Sequence, residues 1–283
     1  MFRLRAKHQN QGKTMRITFI GGGNMASAII SGLCQQPGQQ ISVVELHEDK
    51  RASLQAEFGV TALATLPERF AADEVVLLAV KPQALQAVCQ QLAPRLHGAL
   101  VVSIAAGVRL EALSRWLGSS RIVRVMPNTP AMVGKGVSGL YAAADIGEAD
   151  RRTAEGIMQA VGITSWLETE GGIDDITSVS GSGPAYVFYF IESMIEGACQ
   201  VGFSEQEARA LVLGTFEGAV ELARQSPLPV ATLRTNVMSK GGTTERAIAR
   251  FEAEGVKAAI IAGALDCRAR SVELGDLLSK DGE

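Results

Sequence analysis

The sequence predicts an α/β domain built on a mostly parallel sheet, followed by an all-α domain. Three observations carry this. A short β-rich run, "RITFI", opens directly into the glycine turn "GGGNMAS" and then into a helical pattern. Continuous Val/Ile/Leu runs then recur between helical stretches, as strands covered on both faces require. After about residue 176 the alternation stops and a 3.6-residue period takes over.

The first strand covers Arg16–Ile20, and a helix starts near Met25. Between them Gly21, Gly23 and Ala26 fill the pattern G-x-G-x-x-A. The first glycine allows a tight turn, the second lets the backbone approach a pyrophosphate, and Ala26 lets the helix pack close to the sheet. The motif alone is weak, but here a strand precedes it, a helix follows, and a second strand, "ISVVEL", spans 41–46. Glu45, 22 residues after Gly23, stands where an acid would bind a ribose 2′-hydroxyl. The alternative is a glycine turn that holds no nucleotide. Further strands are expected in "DEVVLLAVKP" (73–82), with a helix from Gln83, in "GALVVSIAAGV" (98–108) and at the start of "RIVRVMPNTPAMVGKG" (121–136). "VSGLYAA" (137–143) and "ITSWLE" (163–168) complete the set. Together these make residues 15–176 a Rossmann-like dinucleotide-binding domain. Its ligand is expected at the carboxyl ends of the strands, which read Gly21–Gly23, Glu45, Ala79–Pro82, Ala105–Gly107 and Met126–Pro130.

Residues 177–283 form the expected helical domain. "PAYVFYFIESMIEGACQVGF" is helical in period and apolar almost all round, so it is expected to be buried, and an obligate dimer or larger assembly would cover it. "SEQEARALVLGTFEGAVELARQ" opens with Ser204 and Glu207, a capping box. "SKGGTTERAIARFEAEG" (239–255) places Gly-Gly-Thr-Thr at a helix entrance. Helix N-termini attract anions, glycines admit close approach, and hydroxyls add donors. One reading is a carboxylate pocket with a hydroxyl left for the reacting atom. The other is a threonine N-cap.

The 283 residues suffice for one large or two modest domains, and the net charge of −3 gives no footprint for nucleic acid. No apolar run is long enough to span a bilayer. Residues 1–14 carry four Lys/Arg and no acid and lack a secretory apolar stretch; they read as a disordered extension before a candidate start at Met15, with a basic targeting arm as the alternative. The four cysteines and three histidines are scattered, so no metal site is expected and a reduced, cytoplasmic protein is.

Ketone reduction needs an acid for the alkoxide, commonly His or Lys. The helical half has no His, and its entrance "SVSGSGPAYVF" has no Lys. An imine nitrogen is basic and arrives protonated or nearly so. The sequence therefore leans to a C=N substrate that carries a carboxylate. A two-domain hydroxyacid dehydrogenase, a reductase of another cyclic imine, and a nucleotide sensor without turnover are the rivals.

"FIGGGNMASAI", "AVKPQ", "VVSIAAGV", "RIVRVMPNTPAMVGKGVSGLYA", "VSGSGPAYVFYFIE" and "MSKGGTTERAI", in that order, resemble pyrroline-5-carboxylate reductase from about Met15 to the C-terminal helix. The resemblance implies reduction of 1-pyrroline-5-carboxylate, a cyclic imine carboxylate, to L-proline with NADPH or NADH, the final step of proline biosynthesis. It also implies a Rossmann domain, a helical dimerisation domain, and a homodimer assembled into a decamer. It makes Thr244 the catalytic residue at the ring nitrogen. Ser239, Gly242 and Thr243 would hold the substrate carboxylate. Asn236 would lie near nicotinamide and substrate, and Glu170 near the substrate. The cofactor-lining positions would be Ile20, Gly21, Gly22, Gly23, Asn24 and Met25, then Ala79, Val80, Lys81 and Pro82, then Ile104, Ala105, Ala106 and Asn128. Lys240 stands where relatives often have Pro, either drawing in an anionic substrate or as a solvated charge. Glu45-Leu46 replaces the Ser or Asn with Arg or Ser that many relatives carry, so Glu45 argues for tolerance of NADH. His47, Lys50 and Arg51 lie nearby as cations that could restore NADPH binding.

Overall fold

The computed structural model describes residues 14–280, and all but Thr14 of the expected N-terminal extension lies outside them. The chain divides into two compact units. One runs up to Ser182 and takes up the chain again from Cys267; the other is Gly183–Asp266.

The first unit alternates as expected: β1 (Met15–Ile20), α1 (Asn24–Cys34), β2 (Gln39–Val44), α2 (Glu48–Phe58), β3 (Thr61–Leu63), β4 (Val75–Leu78), α3 (Pro82–Leu92), β5 (Leu100–Ser103), α4 (Leu110–Leu117), β6 (Ile122–Met126), β7 (Gly136–Ala142), α5 (Glu148–Gln159), β8 (Gly162–Trp166) and the short α6 (Gly172–Ile176). The strands form one sheet in the order β3-β2-β1-β4-β5-β6-β7-β8. Every pairing is parallel except β6 with β7, which is antiparallel. Side chains alternate between two cores. Phe19, Val43, Leu77 and Val102 pack with Ile29, Ile30 and Leu33 of α1 on one face. Val44, Val76, Leu78 and Val101 pack with Leu85 and Leu92 of α3 and Leu113 and Leu117 of α4 on the other. Burial on both faces is why these strands read as unbroken apolar runs.

The chain leaves β1 for β2 and β3, then returns across β1 to β4. That reversal opens a crevice at the carboxyl ends of β1 and β4, the usual ligand position in such sheets. The backbone continues the ladder there: Ala79 N donates to Ile20 O (2.9 Å), Gly21 N to Val44 O (2.8 Å) and Ile104 N to Leu78 O (3.1 Å).

The second unit holds α7 (Gly183–Gln200), α8 (Glu205–Gln225), α9 (Val230–Asn236), α10 (Thr243–Ala253) and the start of α11 (Val256–Leu278). Ser204 and Glu207 make the expected capping box at α8. The expected burial of α7 is not found within the chain. None of its residues is buried, and Phe188 and Tyr189 are 61% and 66% exposed. The only buried residues of this unit are Ala208 and Val212. A helix apolar on most of its surface needs a cover, and the described residues do not supply one.

The division also differs from the expected boundary at 177. The chain up to Ser182 stays with the first unit, and so does the end of α11. Arg109 N donates to Ser279 Oγ (2.9 Å), Ser271 Oγ to Asp174 Oδ1 (2.7 Å), and the Arg109 guanidinium pairs with Asp276 (2.9 Å). Gly275 is small because the Arg109 guanidinium lies where its Cβ would be, 2.9 Å away.

Candidate functional site

The predicted residues fall into two sets, one in each unit. In the first unit, Gly21 turns the chain out of β1 with φ +99°, and a Cβ there would meet the Ala79 carbonyl oxygen at 2.8 Å. Only glycine meets both demands. Gly22 is buried beside Leu54 and Glu45. Gly23 is exposed, with open space where a Cβ would stand, and it is the N-cap of α1. No side chain caps α1 and no acid lies in its first turn. Its first amides are therefore free to bind an anion, as a dinucleotide pyrophosphate requires. Asn24 and Met25 form this first turn, and Ile20 closes β1 beneath it.

The remaining cradle residues come to the same sheet edge. Ala79 and Val80 follow β4, and Lys81 is the N-cap of α3 with Pro82 at its first turn. Ile104, Ala105 and Ala106 follow β5. Asn128 follows β6 but is bonded at both ends of its amide: Nδ2 donates to Ser180 O (2.9 Å) and Oδ1 accepts from Val137 N (2.8 Å). It fixes the turn rather than presenting a free group. Glu45 lies just past β2, 8% exposed. Its Oε2 accepts from Gly22 N (3.1 Å) and its Oε1 from His47 N (3.0 Å). Burial pushes this carboxyl up, but the His47 and Gly22 amides, with the charges of Lys50 and His47, outweigh it and leave the group below its ordinary range.

Glu170 is also in this unit, in a setting the sequence did not reveal. It forms an ion pair with the buried Arg124 and accepts from Leu110 N (2.5 Å) at the start of α4. Burial pulls the Arg124 guanidinium down from its ordinary value, and the charge and hydrogen bond of Glu170 oppose this. Asp174 and Arg109 stand in the same cluster. The legible signal was Arg124 itself, a lone cation inside the apolar strand "IVRVM". A cavity of about 920 Å³ in the first unit, bounded by β8 and α6, contains none of the predicted site residues.

In the second unit, the turn before α10 is held by Gly242 N donating to Ser239 O (2.9 Å) and by Gly241 N donating to Glu245 Oε2 (2.5 Å). Gly241 has φ +73°, and a Cβ on Gly242 would lie 2.3 Å from Ser239 Oγ. The N-cap of α10 is Gly242, and no side chain caps the helix. This corrects the alternative of a threonine N-cap. Thr243 and Thr244 are the first two helical residues, and neither hydroxyl closes a hydrogen bond among the described residues. The helix thus begins with free amides, two glycines and two free hydroxyls. Asn236 ends α9, exposed like Ser239 and Lys240.

Two family models match the chain. Residues 16–107 match "NADP oxidoreductase coenzyme F420-dependent", and residues 170–274 match "Pyrroline-5-carboxylate reductase dimerisation". The pyrroline-5-carboxylate reductase of Pseudomonas aeruginosa is 44% identical over 271 residues, covering 94% of this chain and 99% of that one. The chain belongs to the pyrroline-5-carboxylate reductase family. A pyrroline-5-carboxylate reductase structure from Coxiella burnetii superposes with a TM-score of 0.83 at 38% identity, covering 92% of this chain and 98% of that one. The Plasmodium falciparum pyrroline carboxylate reductase, solved with NADP bound, gives 0.83 at 28%, covering 93% and 100%. As a member of this pyrroline-5-carboxylate reductase family, the chain takes NAD(P)H and carries the family's dimerisation domain. No helix among the described residues is long and apolar enough to cross a membrane.

Proposed function

We propose that this chain reduces 1-pyrroline-5-carboxylate to L-proline with NAD(P)H, the last step of proline biosynthesis. The observation that carries the reading is the α10 N-terminus, with free amides, glycines that admit close approach, and a free Thr244 hydroxyl. A carboxylate suits the amides of Thr243 and Thr244 and the hydroxyls of Ser239 and Thr243, with Gly242 leaving the loop open beside them, because helix N-termini bind anions. Asn236 borders the same loop, and Lys240 adds positive charge at its exposed rim. Thr244 would then orient the ring nitrogen.

NAD(P)H, once bound, would supply the hydride that the imine carbon takes up. The chain's residues do the rest. The α1 amides would hold the pyrophosphate, and the small residues after β4 and β5 leave room along the sheet edge. The imine nitrogen arrives carrying its proton and leaves as the amine, so no strong general acid is needed. The absence of a histidine from the second unit is consistent with this. Glu170, engaged by Arg124 and Leu110, supports the fold rather than contacting the substrate in this reading. We take residues 15–176 as the cofactor domain and 177–283 as the substrate and dimerisation domain, with the homodimer assembled into a decamer in the cytoplasm. The exposed apolar side chains of α7 support association of copies.

The test adds racemic pyrroline-5-carboxylate to purified protein with NADH or NADPH and follows loss of reduced-nicotinamide absorbance. Rapid oxidation is expected. Cofactor binding without oxidation would move the assignment to another cyclic imine or to a sensor.

A further inference from the structure

We propose that Glu45 sets the cofactor of this reductase, selecting NADH over NADPH. The inference deepens the reading above and rests on the glycine turn after β1 being the dinucleotide site.

NAD and NADP differ by a phosphate on the adenosine ribose 2′ oxygen, and in this sheet architecture the end of β2 meets that ribose. The end of β2 here is Glu45. Its carboxylate is not a loose surface charge. Two backbone amides, Gly22 and His47, hold it against the glycine turn, one on each oxygen. Each oxygen keeps a lone pair, so the group can still accept from the free hydroxyls of an NADH ribose. A 2′-phosphate at the same place would bring like charge against a carboxylate that the protein keeps ionised.

The neighbouring charges do not reverse this. Arg51 is the cation best suited to bind a phosphate with two parallel bonds. Its Nη1 instead donates to the carbonyls of Glu45 and Leu46, both at 2.8 Å. Both protons of Nη1 are used in shaping the turn that presents Glu45, which ties that end of the guanidinium to the backbone. The N-terminus of α2, which would otherwise favour an anion, carries Glu48 and Asp49 in its first turn. Lys50 remains as a nearby positive group, and it already acts on Glu45. The β2–α2 corner therefore accepts hydroxyls and repels a phosphate.

Isothermal titration of the full chain with NADH and NADPH, without substrate, reads the preference directly. NADH is expected to bind about tenfold tighter or more, the size of a like-charge contact near a surface. Glu45→Ser should narrow or invert that ratio, and Glu45→Gln, which keeps the side-chain shape, should narrow it too. Arg51→Ala should not weaken NADPH more than NADH. NADPH binding as tightly as NADH in the unaltered chain would overturn the proposal. So would an unchanged ratio in both Glu45 variants, or a selective loss of NADPH in Arg51→Ala. The two readings fail separately. A retained NADH preference with no oxidation by pyrroline-5-carboxylate overturns the imine substrate alone, whereas binding of neither cofactor overturns both.

Discussion

Arg124 and Glu170, 46 residues apart in sequence, form an ion pair in which the Arg124 side chain is only 6% exposed. The pair ties the middle of β6 to the segment leading into α6, and Glu170 also receives the Leu110 amide of α4. One carboxylate thus holds a buried cation and an otherwise unpartnered helix amide.

Glu170→Ala should therefore cost the fold about 3–5 kcal/mol, because it strands a buried guanidinium. The urea midpoint of the variant is the readout, with Arg124→Met in the same background expected to recover part of the loss. A raised KM at an unchanged midpoint would instead put Glu170 against the substrate.

Thr244→Ala should behave in the opposite way. Its hydroxyl closes no hydrogen bond among the described residues, so stability should stay within about 0.5 kcal/mol. Turnover should fall by about a hundredfold if the hydroxyl orients the reacting nitrogen. Thr244→Ser should recover most of it, while cofactor affinity changes little in either variant. Unchanged turnover in Thr244→Ala would remove the hydroxyl from the mechanism.

Gly21→Ala tests the crevice itself. The new methyl would press on the Ala79 carbonyl at a φ that only glycine adopts freely. A loss of about 1–3 kcal/mol in stability is expected. The KM for the dinucleotide should rise, since the turn and the end of β4 must separate. Thermal melts with and without cofactor would show both effects.

Glu45 also predicts a pH response. Its carboxyl is depressed in the folded chain, so it contributes stability in full above the unfolded value of about 4.3. That contribution is lost as pH falls through the lower, folded value. Glu45→Gln should therefore be less stable than the unaltered chain near neutrality, with the difference closing in acid. Urea midpoints between neutral and acid pH check the sign.

Much of the first unit was legible because its physics is local. A strand covered on both faces must be apolar throughout, and a turn with positive φ at a crowded carbonyl must be glycine. β3 was not legible: Thr61–Leu63 is three residues long and is a strand only through its pairing with β2. The reversal of β7 left no mark, since strand direction is set by the connection rather than by the strand's composition. The Gly-Gly-Thr-Thr entrance was readable as a helix start, but the choice of Gly242 over a threonine as cap depends on how Ser239 folds beneath it. The position of Glu45 could be counted from the glycines. The engagement of Arg51 could not, because side-chain bonds to carbonyls five and six residues away require the finished turn. The Arg124–Glu170 pair was hidden for the same reason at longer range.

The thin interior of the second unit has a consequence for how the protein lives in a cell. With Ala208 and Val212 alone buried, the helices gain little from folding by themselves, and most of their stability must come from association. Stability then rises with the amount of protein present, as mass action requires. Until copies associate, α7 would present its apolar side chains, Phe188 and Tyr189 among them, to solvent.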